Sequence, residues 1–268
     1  MKVIINLKKS LQENASLYFD AGKKSKRKLI GLEKALLSSE KRKSELEEKA
    51  ARLGDAKAIM KRKKNWFEKF HWCNSSDGFL IIGGRDAKSN EIVVKRHMEK
   101  DDLYFHAEIQ GAPHVIVKAD GKKVSEATKK EAAEFAAAFS KAWREKIPAI
   151  DVYSVSPEQV SKNAPSGEAL GTGAFMIYGE REYFKKTALA FATGLIEEEG
   201  SFIVISGPES AVKKQTKHFL RLKQGPLEKG AAAKKIKQIL ERKIGGKNPV
   251  DLDEINSMLP NGGIEIRE

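Results

Sequence analysis

The residues of this chain best suited to chemistry lie in three places. Gly83-Gly84-Arg85-Asp86-Ala87-Lys88-Ser89-Asn90-Glu91 sits between two strand-like segments. It offers backbone N–H groups unshielded by side chains, and a guanidinium that can fork onto a phosphate. No Gly-Lys-Ser/Thr follows, so it is not a Walker loop. With a strand expected over Glu91–Lys95, it does not open a helix as a dinucleotide fingerprint requires. A tight hairpin whose Asp86 and Asn90 cap the turn accounts for the same residues equally well. The second place is the Gly/Ser/Pro-rich loop Val160–Gly173, where Lys162 and the amides after it could grip a phosphate. The third is the basic run Lys61–Lys64, with Lys63 and Lys64, leading into Trp66, Phe67, Phe70 and Trp72. Aromatics interleaved with lysines can stack bases; such a cluster more often seats a helix on a globule, and that reading is preferred here.

Other chemistries find less support. Asp86, Glu91 and Lys95 have the outline of a metal-dependent nuclease, an acidic pair followed by a lysine. On a strand Glu91, Val93 and Lys95 would share a face, but Val93 occupies the position where a nuclease wants its lysine. His106 and His114 could meet across a hairpin, yet eight residues on strands is not a metal-ligand spacing and no cysteine is nearby. His106, after Asp102, Tyr104 and Phe105, is expected to anchor a polar network or touch a ligand. Cys73, the single cysteine, excludes an intrachain disulfide and a cysteine-built zinc site, and its apolar surroundings predict core. Neither a cofactor nor a metal is expected.

The elements that must position these residues divide the chain. Its 268 residues are 40% hydrophobic and 32% charged, enough apolar material for a core. No stretch approaches the roughly 18–20 uncharged apolar residues of a membrane helix, and no signal core opens the chain, so a reduced, cytoplasmic protein with no membrane partner is expected. Lys and Arg total 50 against 37 acidic residues, a net charge of +13. Residues 23–69 hold 17 basic and 7 acidic side chains, and residues 213–247 hold 12 and 2. Each has a surplus of ten, so the remainder carries a net −7. Two basic segments flanking an acidic middle are the footprint of a polyanion binder.

Ser10 with Glu13 is a capping-box signature, and a helix is expected from Leu11 to about Leu53. It is too long for a domain of this size to cover, so it should be a coiled-coil arm or helical hairpin, bent at Ser38-Ser39 or Gly54-Asp55. A second helix is expected over Ala56–Phe70. Strands are predicted at His71–Asn74, Phe79–Gly83, Glu91–Lys95, Tyr104–Glu108, His114–Lys118, Val152–Ser156, Ala174–Tyr178, Leu189–Leu195, Phe202–Ile205 and Thr216–Leu222. Helices are predicted at Ser125–Arg144, with Ala132, Phe135, Ala136, Phe139 and Trp143 on one face, and at Pro208–Lys214, Ala231–Ile244 and Leu252–Met258. The fold class is α+β or mixed α/β: a basic helical arm over residues 1–65, a mixed-sheet core over 66–185, and an α/β extension over 186–268.

Several blocks, in one order over about 115 residues, carry a resemblance. They are Asp77-Gly78-Phe79, Gly84–Ala87 with Asn90-Glu91, Asp102–Ala107, Gly111-Ala112-Pro113, Ser140–Trp143, Pro157–Lys162, and Gly167-Glu168 through Gly173–Gly179. Trp66 through Arg181 strongly resembles NFACT-R, the C-terminal RNA-binding domain of the NFACT family. The lysine-rich helix looks like the start of that family's coiled coil, and the tail with Gly207-Pro208 and Leu259–Gly263 is closest to archaeal members. The family's N-terminal domain and helix-hairpin-helix segment have no counterpart here, nor does the tRNA-engaging acidic/arginine motif, so the chain is expected to be a fragment or a reduced member. The resemblance implies binding to the large ribosomal subunit carrying an obstructed nascent chain, and engagement of tRNA. The expected function is a noncatalytic RNA-binding adaptor of ribosome-associated quality control. Its partners are tRNA, large-subunit rRNA and the large subunit, with self-association or a helical partner for the arm. Arg85, Lys162, Arg181, Lys63 and Lys64 would contact phosphates, His106 would add shape readout, and Asp86, Asn90 and Glu91 would contact RNA or shape the loops. The alternatives are a coiled-coil protein-interaction module and the nuclease.

Overall fold

A computed structural model describes residues 5–52, 64–163, 170–198, 201–245 and 250–268. The chain divides into two compact units, residues 1–58 and 59–268.

Among its described residues the first unit holds one helix, α1 (Leu11–Arg52). It starts where the capping signature predicts: the Ser10 N–H donates to Glu13 Oε2 (2.7 Å) and the Glu13 N–H to Ser10 Oγ (3.2 Å). Asn14, buried, fastens the lead-in, accepting from the Asn6 N–H and donating to the Asn6 and Lys9 carbonyls. The helix runs unbroken through Ser38-Ser39, the site of the expected bend, with the Ser38 hydroxyl donating to the Ala35 carbonyl. At about 1.5 Å per residue, α1 is roughly 60 Å long, and Leu29, Leu32 and Leu36 along it are exposed. The bend proposed at Gly54-Asp55 lies outside the described residues, as does the expected second helix up to residue 63; its end is a single 3₁₀ turn over Trp66–Lys69.

The second unit follows the order β1 (His71–Asn74), β2 (Leu80–Gly83), α2 (Ala87–Ile92), a π-helical turn (Val93–His97), β3 (Leu103–Ala107), β4 (Val115–Val117), α3 (Glu126–Ala138), α4 (Lys141–Arg144) and β5 (Ala149–Val155). Then come β6 (Val160–Ser161), β7 (Met176–Ile177), β8 (Glu182–Ala188), β9 (Phe191–Glu198), β10 (Ser201–Gly207), α5 (Glu209–Gln215), β11 (Phe219–Leu227), α6 (Lys229–Lys243), α7 (Leu252–Met258) and β12 (Ile264–Arg267). The strands form a six-stranded sheet, β1-β2-β4-β3-β5-β8, a four-stranded sheet, β10-β9-β11-β12, and the small pair β6-β7. Every described pairing is antiparallel. The architecture is α+β, as expected, and no helix among the described residues is long and apolar enough to cross a membrane.

Alternation along β3 separates two cores. Phe105 faces the main one, with Phe70, Ile81, Phe135, Trp143, Phe191 and Leu220, while Tyr104 faces a smaller one with Val94, Tyr153 and Val155. The predicted helix over Ser125–Arg144 is two helices. Its apolar face is buried at Ala132, Phe135, Ala136 and Trp143, but Ser140 interrupts it, donating to the Ala137 carbonyl and accepting from the Ala142 N–H. Polar ties join the layers. Buried Glu131 of α3 accepts from the Ser76 N–H (2.8 Å) and the Ser210 hydroxyl (2.6 Å), and Trp143 Nε1–H donates to the Gly263 carbonyl (3.1 Å). Cys73 is buried as core.

One correction bears on function. The strand expected over Glu91–Lys95 is helical. Asp86 takes the N-cap, its carboxylate accepting from the Ser89 N–H (2.7 Å), so the Gly-Gly-Arg-Asp loop does open a helix. Cap and tertiary burial override the β-branched run: the π turn sends Val93 into the main core and Val94 into the smaller one. Among smaller differences, β8 and β12 went unpredicted: β8 is a charged edge strand without alternation, and β12 alternates as Ile264-Glu265-Ile266-Arg267 but over four residues alone. The strand predicted over Ala174–Tyr178 shrinks to β7, and β11 extends to Leu227 across a bulge.

Candidate nucleic-acid interface

The loop from Gly83 to Asn90 is built by hydrogen bonds that converge on Ser89. Its hydroxyl accepts from the Arg85 and Asp86 N–H groups, both at 2.8 Å, and donates to Asp86. Asn90 Oδ1 accepts from the His114 N–H (3.0 Å), tying the helix to the connection between β3 and β4. Gly84 lets the two approach, since a Cβ there would stand 2.1 Å from Asn90 Oδ1 and 2.5 Å from its backbone nitrogen. Gly84→Ala should push the first turn of α2 aside and cost about 1–3 kcal/mol, read as a lower denaturant midpoint; an unchanged midpoint would contradict this packing.

One helical turn brings Glu91 and Lys95 together at 2.7 Å. The same carboxylate accepts from the Gly173 N–H (2.9 Å) and pairs with Lys162 at 3.4 Å. These partners, Lys95 first, hold Glu91 down to about 2. Lys162 in turn donates to the Gly171 and Ala174 carbonyls (2.8 and 3.0 Å) and lies over the Phe175 ring. Glu91 and Lys162 thus buttress the wall segment Thr172–Phe175. The acidic pair of the nuclease reading is spent separately, Asp86 on Ser89 and Glu91 on the wall. Among the described residues no group of His, Cys, Asp or Glu side chains is arranged to hold a metal ion.

The wall, the Gly84–Asn90 loop and the start of α4 enclose a cleft of about 550 Å³. Arg85, Lys141 and Arg144 supply its positive charge. Arg85 is exposed, its guanidinium donating to the Phe70 carbonyl at 2.9 Å and the Glu68 carbonyl at 3.4 Å, and none of the described carboxylates pairs with it. Lys141 lies across Gly111 and also has no ion pair among the described residues; Arg144 is exposed, with Glu145 at 3.9 Å. Asn261, from the far end of the chain, lines the cleft and accepts from Lys229 Nζ at 2.9 Å. Burial, first, and the neighbouring Arg85 push the Lys229 ammonium down to about 8. Asp86 is the one carboxylate among the described lining residues, and it is turned to Ser89.

The cleft is floored by imidazoles. His106 and His114 stack at 4.7 Å, and the Phe175 ring packs steeply inclined to His114, with centroids 5.2 Å apart. His114 Nδ1 meets the Tyr104 hydroxyl at 2.5 Å, and burial, first, with His106 and Lys162 holds its pKa down to about 3. His71 stacks on Phe139 at 3.9 Å, and its buried Nδ1 finds no partner among the described residues. Burial also lowers His71, His97 and His106 from the ordinary 6.5. The unfolded chain therefore binds more protons than the folded one just below pH 6.5, and stability must fall as the pH drops through that point toward the lower folded values. The denaturant midpoint should decline between pH 7 and pH 5, above the carboxylate range; a flat profile there would mean these imidazoles are charged in the fold.

Four of the predicted residues, Arg85, Asp86, Asn90 and His106, thus share one cleft, with Glu91 and Lys162 behind its wall. Arg181 stands apart, over the Tyr153 ring (4.5 Å) and 3.5 Å from Glu108. Lys64 lines a different groove with Asp251 and Asp253, and Lys63 lies outside the described residues. Of the aromatic cluster, Phe70 and Trp72 are buried, while Trp66 stays exposed, stacked on His97 at 4.4 Å. Reading the sequence missed His71, Ser89, Lys141, Arg144, Lys229 and Asn261. Lys141 and Asn261 fall inside blocks that carried the resemblance, which was the available signal.

Residues 69–179, which hold every lining residue except Asn261, match the family described as the NFACT protein RNA binding domain. The chain belongs to the NFACT family. It is 42% identical over 210 residues to the archaeal Rqc2 homolog aRqcH of Methanocaldococcus jannaschii, covering 78% of this chain and 30% of that one. To the human ribosome quality control complex subunit NEMF it is 40% identical over 182 residues, covering 66% and 16%. The C-terminal part of the fibronectin/fibrinogen-binding protein of Streptococcus suis aligns over 54% of this chain and 55% of that one, at 25% identity and a TM-score of 0.39. The chain spans under a third of the length of these two curated NFACT relatives.

Proposed function

We propose that this chain is a noncatalytic RNA-binding adaptor of ribosome-associated quality control. In this reading it contacts tRNA or rRNA on a large ribosomal subunit whose nascent chain is obstructed, and so works in the cytoplasm. The observation that carries the proposal is the cleft inside the NFACT RNA-binding domain. There Arg85, Lys141 and Arg144 converge, and among the described residues no carboxylate partner is closer than the 3.9 Å of exposed Glu145. Cations gathered at that density are matched by the closely spaced phosphates of RNA. Arg85 would contact phosphate directly, and Asp86, Asn90, Glu91 and Lys162 would shape the cleft. Arg181, Lys63 and Lys64 would add contacts outside it. His106 would read an unpaired surface. Three segments would divide the work: the arm over 1–65, the core over 66–185 and the extension over 186–268, with the exposed leucines of the arm available to a second helix.

The test is co-sedimentation of the intact chain with purified large subunits, empty or carrying peptidyl-tRNA. Retention on the peptidyl-tRNA-bearing subunits, weakened by Lys141→Ala/Arg144→Ala, is expected. Failure to sediment with either, in low salt, would remove the ribosomal assignment.

A further inference from the structure

The cleft has features that a general phosphate-binding face does not need. A duplex presents a convex backbone, which a flat or gently curved basic surface matches. Here the cations line a concavity of about 550 Å³, the size class of small-ligand pockets. The floor is made of aromatic rings: the His106–His114 stack, Phe175, and His71 laid on Phe139. All three imidazoles are depressed in pKa by burial, so at neutral pH these rings are uncharged.

The hydrogen-bonding sense of the floor can be worked out. A carbonyl oxygen only accepts, so the contact between His106 Nδ1 and the Pro113 carbonyl (3.0 Å) puts the proton of neutral His106 on Nδ1. Its Nε2 is left as a lone-pair acceptor. His71 is more than nine-tenths buried, lines the cleft and has an orphaned ring nitrogen among the described residues. Buried polar atoms are rarely left without partners, and this one adds to a cleft whose cations likewise lack a close carboxylate among the described residues.

We propose that the cleft receives a single unpaired nucleotide of an RNA strand, its phosphate held by Arg85, Lys141 and Arg144, its base laid on the ring floor, and a sugar hydroxyl or base amine donated to His106 Nε2. This deepens the RNA-binding reading and rests on it. It names the part of the RNA that enters: a terminal or swung-out residue, the form in which bases are open to stacking and edge recognition.

The experiment compares two RNAs by fluorescence anisotropy with the intact chain: a blunt hairpin, and the same hairpin with a three-residue unpaired 3′ tail. The tailed RNA should bind about tenfold more tightly, the scale of one base–aromatic stack. In Lys141→Ala/Arg144→Ala both RNAs should weaken and the ratio should shrink to under about twofold; His106→Phe, which keeps a ring but removes the acceptor, should reduce the ratio without abolishing it. Equal binding of the two RNAs by the unaltered chain would overturn the unpaired-nucleotide assignment while leaving RNA binding intact. Loss of binding to both would instead count against the RNA reading itself. Uridine monophosphate should displace the tail only at millimolar concentration; displacement at micromolar concentration would make this a free-nucleotide site and overturn the assignment to an RNA strand.

Discussion

Asp102→Ala is expected to destabilise the globule by about 3–5 kcal/mol, the cost of stranding a buried charge. Asp102 is 1% exposed and pairs with Lys118, 9% exposed, at 2.7 Å. Its carboxylate also accepts from the Ala119 N–H (3.0 Å) and the Glu99 N–H (2.8 Å), so one side chain holds the turn before β3 to the strand end after β4. Without it the Lys118 ammonium keeps, among the described residues, the His97 carbonyl and the exposed Glu99 carboxylate at 3.3 Å. Removing the charge as well, in Asp102→Ala/Lys118→Met, should recover part of the loss, because part of the penalty is that of a buried ammonium left with one exposed carboxylate in place of a buried one. Denaturant unfolding of the full chain measures both. A loss under about 1 kcal/mol for the single variant would show that water reaches the pair.

The second large effect concerns binding. Lys141→Glu/Arg144→Glu should weaken RNA binding about hundredfold at low salt, near tenfold for each phosphate that is no longer neutralised. Both side chains line the cleft, Lys141 partly buried and Arg144 62% exposed, so thermal stability should stay within the range of ordinary surface substitutions. A drop in affinity together with a collapse in stability would assign these residues to the fold instead.

The parts of the molecule legible in the sequence share a local cause. Ser10 and Glu13 sit three residues apart and cap α1 as that spacing dictates. Ala132, Phe135 and Ala136 fall on one helical face and are buried there. The Gly84-Arg85-Asp86 loop stood out because glycine beside a guanidinium is a local pattern, and the structure brings Arg85, Asp86 and Asn90 to one cleft. What escaped is tertiary. The run Glu91-Ile92-Val93-Val94-Lys95 reads as a strand until one sees that Val93 and Val94 are claimed by different cores and that Asp86 caps the helix ahead of them. Lys162 sits in the loop that predicted it, but its ammonium turns inward to Glu91 and two carbonyls, a partnership 71 residues apart that no spacing reveals. Lys141, Arg144 and Asn261 come from a short helix and from the far end of the chain, and only packing makes them neighbours. Trp143 shows how, since its indole donates to Gly263 across 120 positions and draws the C-terminal turn against α4.

If the cations of the NFACT cleft neutralise RNA phosphates, binding must weaken steeply as salt rises. Binding of the intact chain to tRNA would be measured across ionic strength, beside Lys141→Gln/Arg144→Gln. The account predicts a log–log slope of several units, reduced by about two in the double variant, one for each phosphate left to its counterions. A slope near zero, or one that the double variant leaves unchanged, would contradict it.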